Sequence, residues 1–311
     1  YRHKRPQLHG TVCITEAGLE TDLVFNHNVE LPEFAAYDLL RNQEGYDRLF
    51  NYYRQYTELA RQFKRGIVLE TPTWRANRDW GAKIGDSLDV LDGLNQSSVK
   101  LLKHLQREYD SKDTPVVVSG NLGPRGDGYT PDFQMTVEQA HDYHRHQIAT
   151  FAEAGVDMVC ALTLNYVEEG IGIARAAREF DIPVCLSYTV ETDGHLPSGD
   201  TLAESIAATD ESSDAYPVYY MINCAHPTHI VQLFSEPAPW HERLKGIRAN
   251  ASCLSHAELD ESETLDDGDP VQFGQELAEL SQLSSHLRVF GGCCGTDHRH
   301  IQHVCEGLRG H

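Results

Sequence analysis

Short apolar runs recur along the chain, and a longer amphipathic pattern follows most of them. The runs cover residues 12–15, 67–69, 115–119, 156–161, 183–188, 217–222, 246–247 and 287–290. They are continuous rather than alternating, which is typical of strands buried on both faces of a parallel sheet. The sequence therefore predicts eight buried strands.

The segments between these runs show helical periodicity. The predicted helices cover residues 46–63, 88–109, 136–154, 167–180, 201–208, 271–283 and 297–308, with a shorter one over 226–234. Strands that alternate with helices predict an α/β fold, and eight of each favour a (β/α)8 TIM-type barrel with the active site at the C-terminal ends of its strands. An open, doubly wound sheet is the alternative. Residues 1–311 are expected to form a single domain.

The charge balance limits the partners of this chain. It carries 47 acidic against 26 basic residues, a formal net charge of −21. Such a surface cannot neutralise the phosphates of a nucleic acid and does not favour an anionic membrane. No apolar run is long enough to span a membrane, and no apolar stretch follows the basic start, so a cytoplasmic location is expected.

Two polar segments receive simple structural interpretations. The acidic segment 256–269 follows the seventh run and is expected to be a solvated loop. His141 and His144 lie on one predicted helix and are expected at the surface rather than as metal ligands. The 17 histidines include no His-Glu-x-x-His spacing.

The eight cysteines are not expected to form a disulfide framework in a chain of this length without an export signal. Cys160 and Cys185 lie inside apolar runs and are expected in the core. Cys224 directly follows the sixth run, whereas Cys293 and Cys294 follow the eighth among glycines. If the barrel closes, these three meet at its active end, and three thiolates with a free fourth position are typical of catalytic zinc.

Such a centre implies a particular chemistry. Zinc lowers the pKa of a thiol that it binds, so that the acceptor is a thiolate at neutral pH. A thiolate can attack a methyl group on a positively charged sulfonium or ammonium centre, provided that the protein aligns the two reactants.

These residues are similar to the homocysteine S-methyltransferase family, which includes betaine-dependent and S-methylmethionine-dependent enzymes. The most specific motifs are VFGGCCGT at 289–296, with Ile301 following, and INCAHP at 222–227. TEAGLET at 15–21, TPTWRAN at 71–77, GNLGP at 120–124 and Asn250 support the resemblance, which runs from Thr15 to His303. It places the zinc ligands at Cys224, Cys293 and Cys294.

The resemblance also implies substrate contacts and two departures. The predicted substrate-binding residues are Glu16, Thr73, Thr163, Asn223 and Asn250. Glu16 stands where the family has Asp, and it retains an acid for a substrate ammonium. Leu162 stands where the family commonly has a Glu that holds the amino group. Loss of such a charged hydrogen bond costs about 1.5–3 kcal/mol.

The expected function is zinc-dependent methyl transfer to homocysteine, giving methionine. The expected donor is S-methylmethionine or S-adenosylmethionine, because no cobalamin or folate domain follows; betaine is a further candidate. Two alternatives stay open. Leu162 would suit a family member with another thiol or selenol acceptor, and a closed four-ligand site would indicate a non-catalytic zinc-binding barrel. The oligomeric state is not predicted.

Overall fold

The chain folds into a closed barrel of eight parallel strands. The computed structural model describes residues 1–130, 133–260, 262 and 264–308, with only the backbone of residue 260. The strands are β1 Cys13–Thr15, β2 Gly66–Glu70, β3 Val116–Leu122, β4 Met158–Leu164, β5 Val184–Tyr188, β6 Tyr219–Asn223, β7 Leu244–Ala249 and β8 Val289–Gly292. Each strand pairs with the next, and β8 returns to β1. The predicted barrel is confirmed, and the doubly wound alternative is excluded.

Helices surround the barrel and close its ends. In chain order they are α1 Pro6–His9, α2 Leu19–Thr21, α3 Gln43–Phe63, α4 Arg78–Ile84, α5 Leu88–Tyr109, α6 Val137–Ala154, α7 Val167–Glu179, α8 Leu202–Ser213, α9 Pro227–Ile230, α10 His256–Asp260, α11 Pro270–Leu283 and α12 His298–Gly307. The long predicted helices are all present. The sequence reading missed α1, α2, α4 and α10, each too short for a clear periodicity.

Local sequence signals set the ends of the long helices. The Thr136 hydroxyl accepts a hydrogen bond from the backbone N–H of Gln139. The side-chain oxygen of Gln139 in turn accepts from the backbone N–H of Thr136. This capping box fixes the start of α6. The helix ends at Gly155, whose φ of 84° is accessible to glycine without steric cost.

The barrel interior is filled at its N-terminal end and open at the other. A cluster of buried side chains occupies the centre: Cys13, Val68, Val117, Met158, Cys160, Leu162, Cys185, Tyr219, Met221 and Val289. Helix α1 covers the N-terminal end, where the Gln7 amide approaches the Met158 sulfur at 3.3 Å. Cys160 and Cys185 are fully buried, as predicted. The opening therefore lies at the C-terminal ends of the strands.

Two expectations about polar segments are wrong. The segment 256–269 begins with helix α10, and its residues Leu259, Leu265 and Asp266 line the barrel opening instead of forming only a solvated loop. Residues 261 and 263, two of its acids, lie outside the described part. The second wrong expectation placed His144 at the surface. His144 is buried, and its Nε2 lies 2.8 Å from the Glu169 carboxylate. It shares the inward face of α6 with apolar neighbours.

None of the helices in the described part of the chain combines the length and apolar character needed to cross a bilayer.

Candidate active site

Three cysteine sulfurs converge at the open end of the barrel. Cys224 follows β6, and Cys293 and Cys294 follow β8. Their Sγ atoms all lie within 4.8 Å of one another, with 3.9 Å between Cys224 and Cys294. Cys224 and Cys293 are in direct sulfur–sulfur contact as a disulfide, with their Cα atoms 5.4 Å apart. A metal ligand must be a thiolate, so metal binding requires this pair in its reduced form.

Strand β7 brings the two cysteine segments together although β6 and β8 are not neighbours. The Cys224 amide donates to the Arg248 carbonyl at 3.1 Å, and the Cys293 amide donates to the Ala249 carbonyl at 2.7 Å. Both cysteines are thus tied to the end of the same strand. Cys224 has a φ of 55°, a left-handed conformation that a non-glycine residue adopts only where its surroundings enforce it.

Hydroxyl groups hold the turn that carries Cys293 and Cys294. The Thr296 hydroxyl donates to the Cys293 carbonyl at 2.7 Å and accepts from the Gly18 amide at 3.1 Å. A Cβ at Gly292 would collide with the Thr296 side chain, so this position needs glycine. The motif therefore links the turn after β8 to the loop after β1.

His256 and Tyr129 support the cysteines from outside. His256 Nε2 lies 2.6 Å from the Cys224 carbonyl oxygen, and its Nδ1 lies 3.1 Å from Glu191. Its ring packs on Tyr129 at 4.2 Å, and the Tyr129 hydroxyl lies 3.7 Å from the Cys294 sulfur. Sequence reasoning missed both residues, because neither follows a strand directly and no local motif marks them.

A cavity of about 360 Å³ opens over the cysteines. All three cysteines line it, together with the predicted substrate residues Glu16, Thr163 and Asn223 and with Leu162. Three sulfurs that border an open cavity can hold an ion and leave it accessible to a small molecule. This arrangement is the one expected of a catalytic rather than a structural metal site.

Asn223 and Thr163 form one buried unit in the cavity wall. The Asn223 Oδ1 accepts from the Thr163 amide at 2.8 Å and from the Ser187 hydroxyl at 2.7 Å, and its Nδ2 donates to the Thr163 hydroxyl at 2.8 Å. These bonds hold Thr163 at a φ of 63°. The same Nδ2 lies 3.9 Å from the Cys293 sulfur, so the unit also borders the cysteine cluster.

Two predicted substrate residues lie elsewhere. Thr73 is fully buried, and its hydroxyl donates to the Asn121 carbonyl at 2.7 Å, which ties the loop after β2 to β3. Asn250 is buried, and its backbone N–H donates to the Ala225 carbonyl at 3.1 Å. Neither residue is among the described residues that line the main cavity. Their positions fit support of neighbouring loops.

Glu16 lines the cavity but already has partners. Its Oε1 accepts from Arg248 Nη1 at 3.0 Å, and its Oε2 accepts from the Glu70 amide at 3.3 Å. Burial lowers the pKa of Arg248, but the carboxylates of Glu16 and Glu70 outweigh it and raise that pKa. Burial also raises the pKa of Glu16 while Arg248 lowers it. Because a guanidinium stays charged, we assign Glu16 as its ionised partner.

Glu70 should make the stability of the fold depend on pH. Burial, and next the Glu16 charge, raise its pKa from the ordinary 4.5 to about 7. Between these values the folded state holds a proton that the unfolded state has lost, so stability falls as pH rises through this window. At about 1.4 kcal/mol per pH unit the loss totals about 3 kcal/mol.

Glu70→Gln isolates this contribution, because glutamine resembles the protonated acid but does not titrate. Urea unfolding of both proteins should give similar free energies at pH 4, below the unfolded pKa, and at pH 8 the variant should be the more stable by about 3 kcal/mol. A gap between the two proteins that stays constant with pH would show that Glu70 ionises normally in the fold.

The comparisons with known proteins identify the family of this chain. The family model for homocysteine S-methyltransferase matches residues 13–308. Homocysteine S-methyltransferase 1 of Arabidopsis thaliana is 22% identical over 96% of this chain and 94% of its own length. Homocysteine S-methyltransferase 2 of Zea mays is 27% identical over 78% of this chain and 75% of its own.

A solved structure shares the fold. The homocysteine methyltransferase MmuM from Escherichia coli, crystallised in a metallated form, is 18% identical with a TM-score of 0.73 over 95% of this chain and 96% of that one. The family match over residues 13–308 makes this barrel a methyltransferase, so the protein is an enzyme and the non-catalytic alternative is set aside. The chain belongs to the homocysteine S-methyltransferase family.

Proposed function

We propose that this enzyme transfers a methyl group to the thiol of homocysteine, giving methionine, and that it does so with zinc held by Cys224, Cys293 and Cys294. The observation that carries the proposal is the convergence of these three sulfurs within 4.8 Å at the wall of the cavity. Three soft sulfur donors suit zinc better than magnesium or calcium. When bound, zinc supplies a Lewis acid that keeps the acceptor as a thiolate near neutral pH.

The rest of the cavity suits a cationic methyl donor. The acid Glu20 and the aromatic residues Tyr53, Trp74 and Tyr129 line the same space as the cysteines. Aromatic faces and carboxylates attract sulfonium and ammonium groups. The acceptor sulfur forms the new bond to the methyl carbon, the old bond breaks with its electron pair on the donor, and the thiol proton is released. The walls of the cavity align the two reactants.

A donor screen tests the proposal. Reduced protein reconstituted with zinc should form methionine from homocysteine with S-methylmethionine or S-adenosylmethionine, and more slowly with betaine. Chromatography of the product gives the rate for each donor, and zinc-stripped protein is the control. If all three donors give no more methionine than the stripped protein, the proposed reaction is wrong.

Leu162 supports the second candidate, an enzyme with another thiol or selenol acceptor. Its side chain lines the cavity close to Thr163, and its carbonyl accepts from the Trp74 indole at 3.4 Å. An apolar side chain here offers nothing to a substrate ammonium. Equal turnover of homocysteine and 4-sulfanylbutanoate, which lacks the amino group, would favour this candidate, whereas a strong preference for homocysteine would exclude it.

A further inference from the structure

The guanidinium of Arg75 lies in the cavity wall without a hydrogen-bonded partner for two of its nitrogens. It stacks on two indole rings, with its central carbon 4.3 Å from the ring centre of Trp74 and 3.5 Å from that of Trp80. Its Nε and Nη1 atoms are buried and donate no hydrogen bond to any partner in the described part of the chain. A buried donor left unsatisfied destabilises a fold, and it does so more strongly when the group is charged.

The surroundings of Arg75 are acidic but do not satisfy it. Burial lowers its pKa, while the nearby charges of Asp127 and Glu20 raise it. Within the described part of the chain, no ion pair joins the guanidinium to a carboxylate. The planar fork of an arginine matches a carboxylate with two parallel hydrogen bonds. The Arg75 guanidinium therefore lacks the carboxylate partner that its planar fork is suited to bind.

Glu20 supplies the opposite charge on the same cavity. Burial raises its pKa to about 7, and the fields of Arg248 and Arg75 oppose that rise. A substrate ammonium beside it would favour the ionised form. Glu16 is less suited to this task, because Arg248 already bonds one of its oxygens.

The charged groups of Arg75 and Glu20 lie in the same cavity as the cysteine sulfurs. Arg75, Glu20 and the three cysteines all line one cavity. Tyr129 lines the same cavity, and its hydroxyl lies 3.7 Å from the Cys294 sulfur. A ligand with its sulfur at the cysteines can therefore extend a charged head group along this wall.

We propose that Arg75 binds the carboxylate, and Glu20 the ammonium, of an α-amino-acid substrate whose sulfur lies at the three cysteines. This inference rests on the proposed function and names the residues that select its substrate. The head group is that of homocysteine; a donor such as S-methylmethionine carries the same two groups and serves as the competing candidate in the test. Arg75 and Glu20 thus determine specificity for amino-acid substrates over simple thiols.

Binding to reduced, zinc-loaded protein tests the pair without any need for turnover. The probes are homocysteine, 3-aminopropane-1-thiol, which lacks the carboxylate, and 4-sulfanylbutanoate, which lacks the ammonium. Calorimetry should show that Arg75→Gln weakens homocysteine and 4-sulfanylbutanoate by about 10- to 100-fold and leaves the aminothiol unchanged. Glu20→Gln should weaken the binding of homocysteine and of the aminothiol, and it should leave the affinity for 4-sulfanylbutanoate unchanged.

Two controls separate recognition from folding. Arg78→Gln removes a guanidinium that is half exposed outside the cavity, and it should bind all three probes like the parent. Arg75→Lys keeps the charge and loses the fork, so its affinity for homocysteine should lie between those of the parent and Arg75→Gln. A structural role for Arg75 would instead weaken all three probes equally, which would overturn the inference.

The same titrations with S-methylmethionine show which substrate carries the head group. Loss of S-methylmethionine affinity in Arg75→Gln, with homocysteine unchanged, would assign the pair to the donor and overturn the inference. Unchanged affinity for both ligands overturns it. Discrimination between the probes in an enzyme that forms no methionine would refute the proposed function and leave the recognition pair intact. Methionine formation by the enzyme, with no effect of Arg75→Gln on the affinity for any probe, would support the proposed function and overturn the recognition pair.

Discussion

Replacing Cys293 with alanine is expected to remove bound zinc and to abolish methyl transfer. The side chain supplies one of three sulfurs that lie within 4.8 Å of one another, and two sulfurs cannot complete the set typical of a catalytic zinc site. Loss of a residue that only supports a ligand costs about 10- to 100-fold in affinity or activity. Loss of the ligand itself should exceed that range.

The measurement has two parts, because folding and metal binding must be separated. Zinc content of reduced, dialysed protein should fall from one equivalent towards zero in Cys293→Ala, and methionine formation should fall with it. Cys253→Ala is the matched control, since Cys253 is exposed and does not line the cavity in the described structure. It should keep both zinc and activity. Full activity in Cys293→Ala would contradict the metal assignment.

The barrel was predictable because its information is local. Each strand is buried on both faces, so its residues form a continuous apolar run that needs no knowledge of its neighbours. The long helices carry a repeating apolar stripe that reveals them in the same way. Short helices such as α4 and α10 have too few turns for a stripe, and the sequence did not indicate them.

The cysteine cluster was also predictable, because topology supplies the missing distance. In a parallel barrel every strand ends at the same rim, so residues after β6 and β8 must be near each other once the barrel is accepted. Cys224, Cys293 and Cys294 directly follow these strands. The sequence did not predict that β7 would hold the segments of Cys224 and Cys293 through its backbone carbonyls.

The polar contacts of the cavity were less predictable, because they depend on side-chain direction. Thr73 and Asn250 follow strands as Glu16 does, yet both are buried and neither lines the main cavity in the described structure. Conversely, Glu16 faces the cavity and meets Arg248, which is 232 positions away in the chain. No sequence pattern states that an acid and a base so far apart will pair.

Breaking the Glu16–Arg248 pair is expected to cause the largest loss of stability of any substitution considered. The two side chains are 3% and 6% exposed and 3.0 Å apart, so either one alone would leave a buried charge without its partner. Removal of one member of such a pair costs about 3–5 kcal/mol. Arg248→Met and Glu16→Leu should therefore each lower the free energy of unfolding by that amount, measured in urea near pH 7.

The double variant Glu16→Leu/Arg248→Met decides whether the pair or the individual residues carry this effect. Two well-packed apolar side chains often replace a buried ion pair at little net cost, so the double variant should recover most of the stability that each single one loses. Additive losses would instead mean that each residue stabilises the rim through its other contacts, such as the bond from Arg248 Nε to the Gly292 carbonyl. Recovery of stability without recovery of activity would then show that the pair also matters to the reaction at the cavity that both residues line, because only the fold would have been repaired.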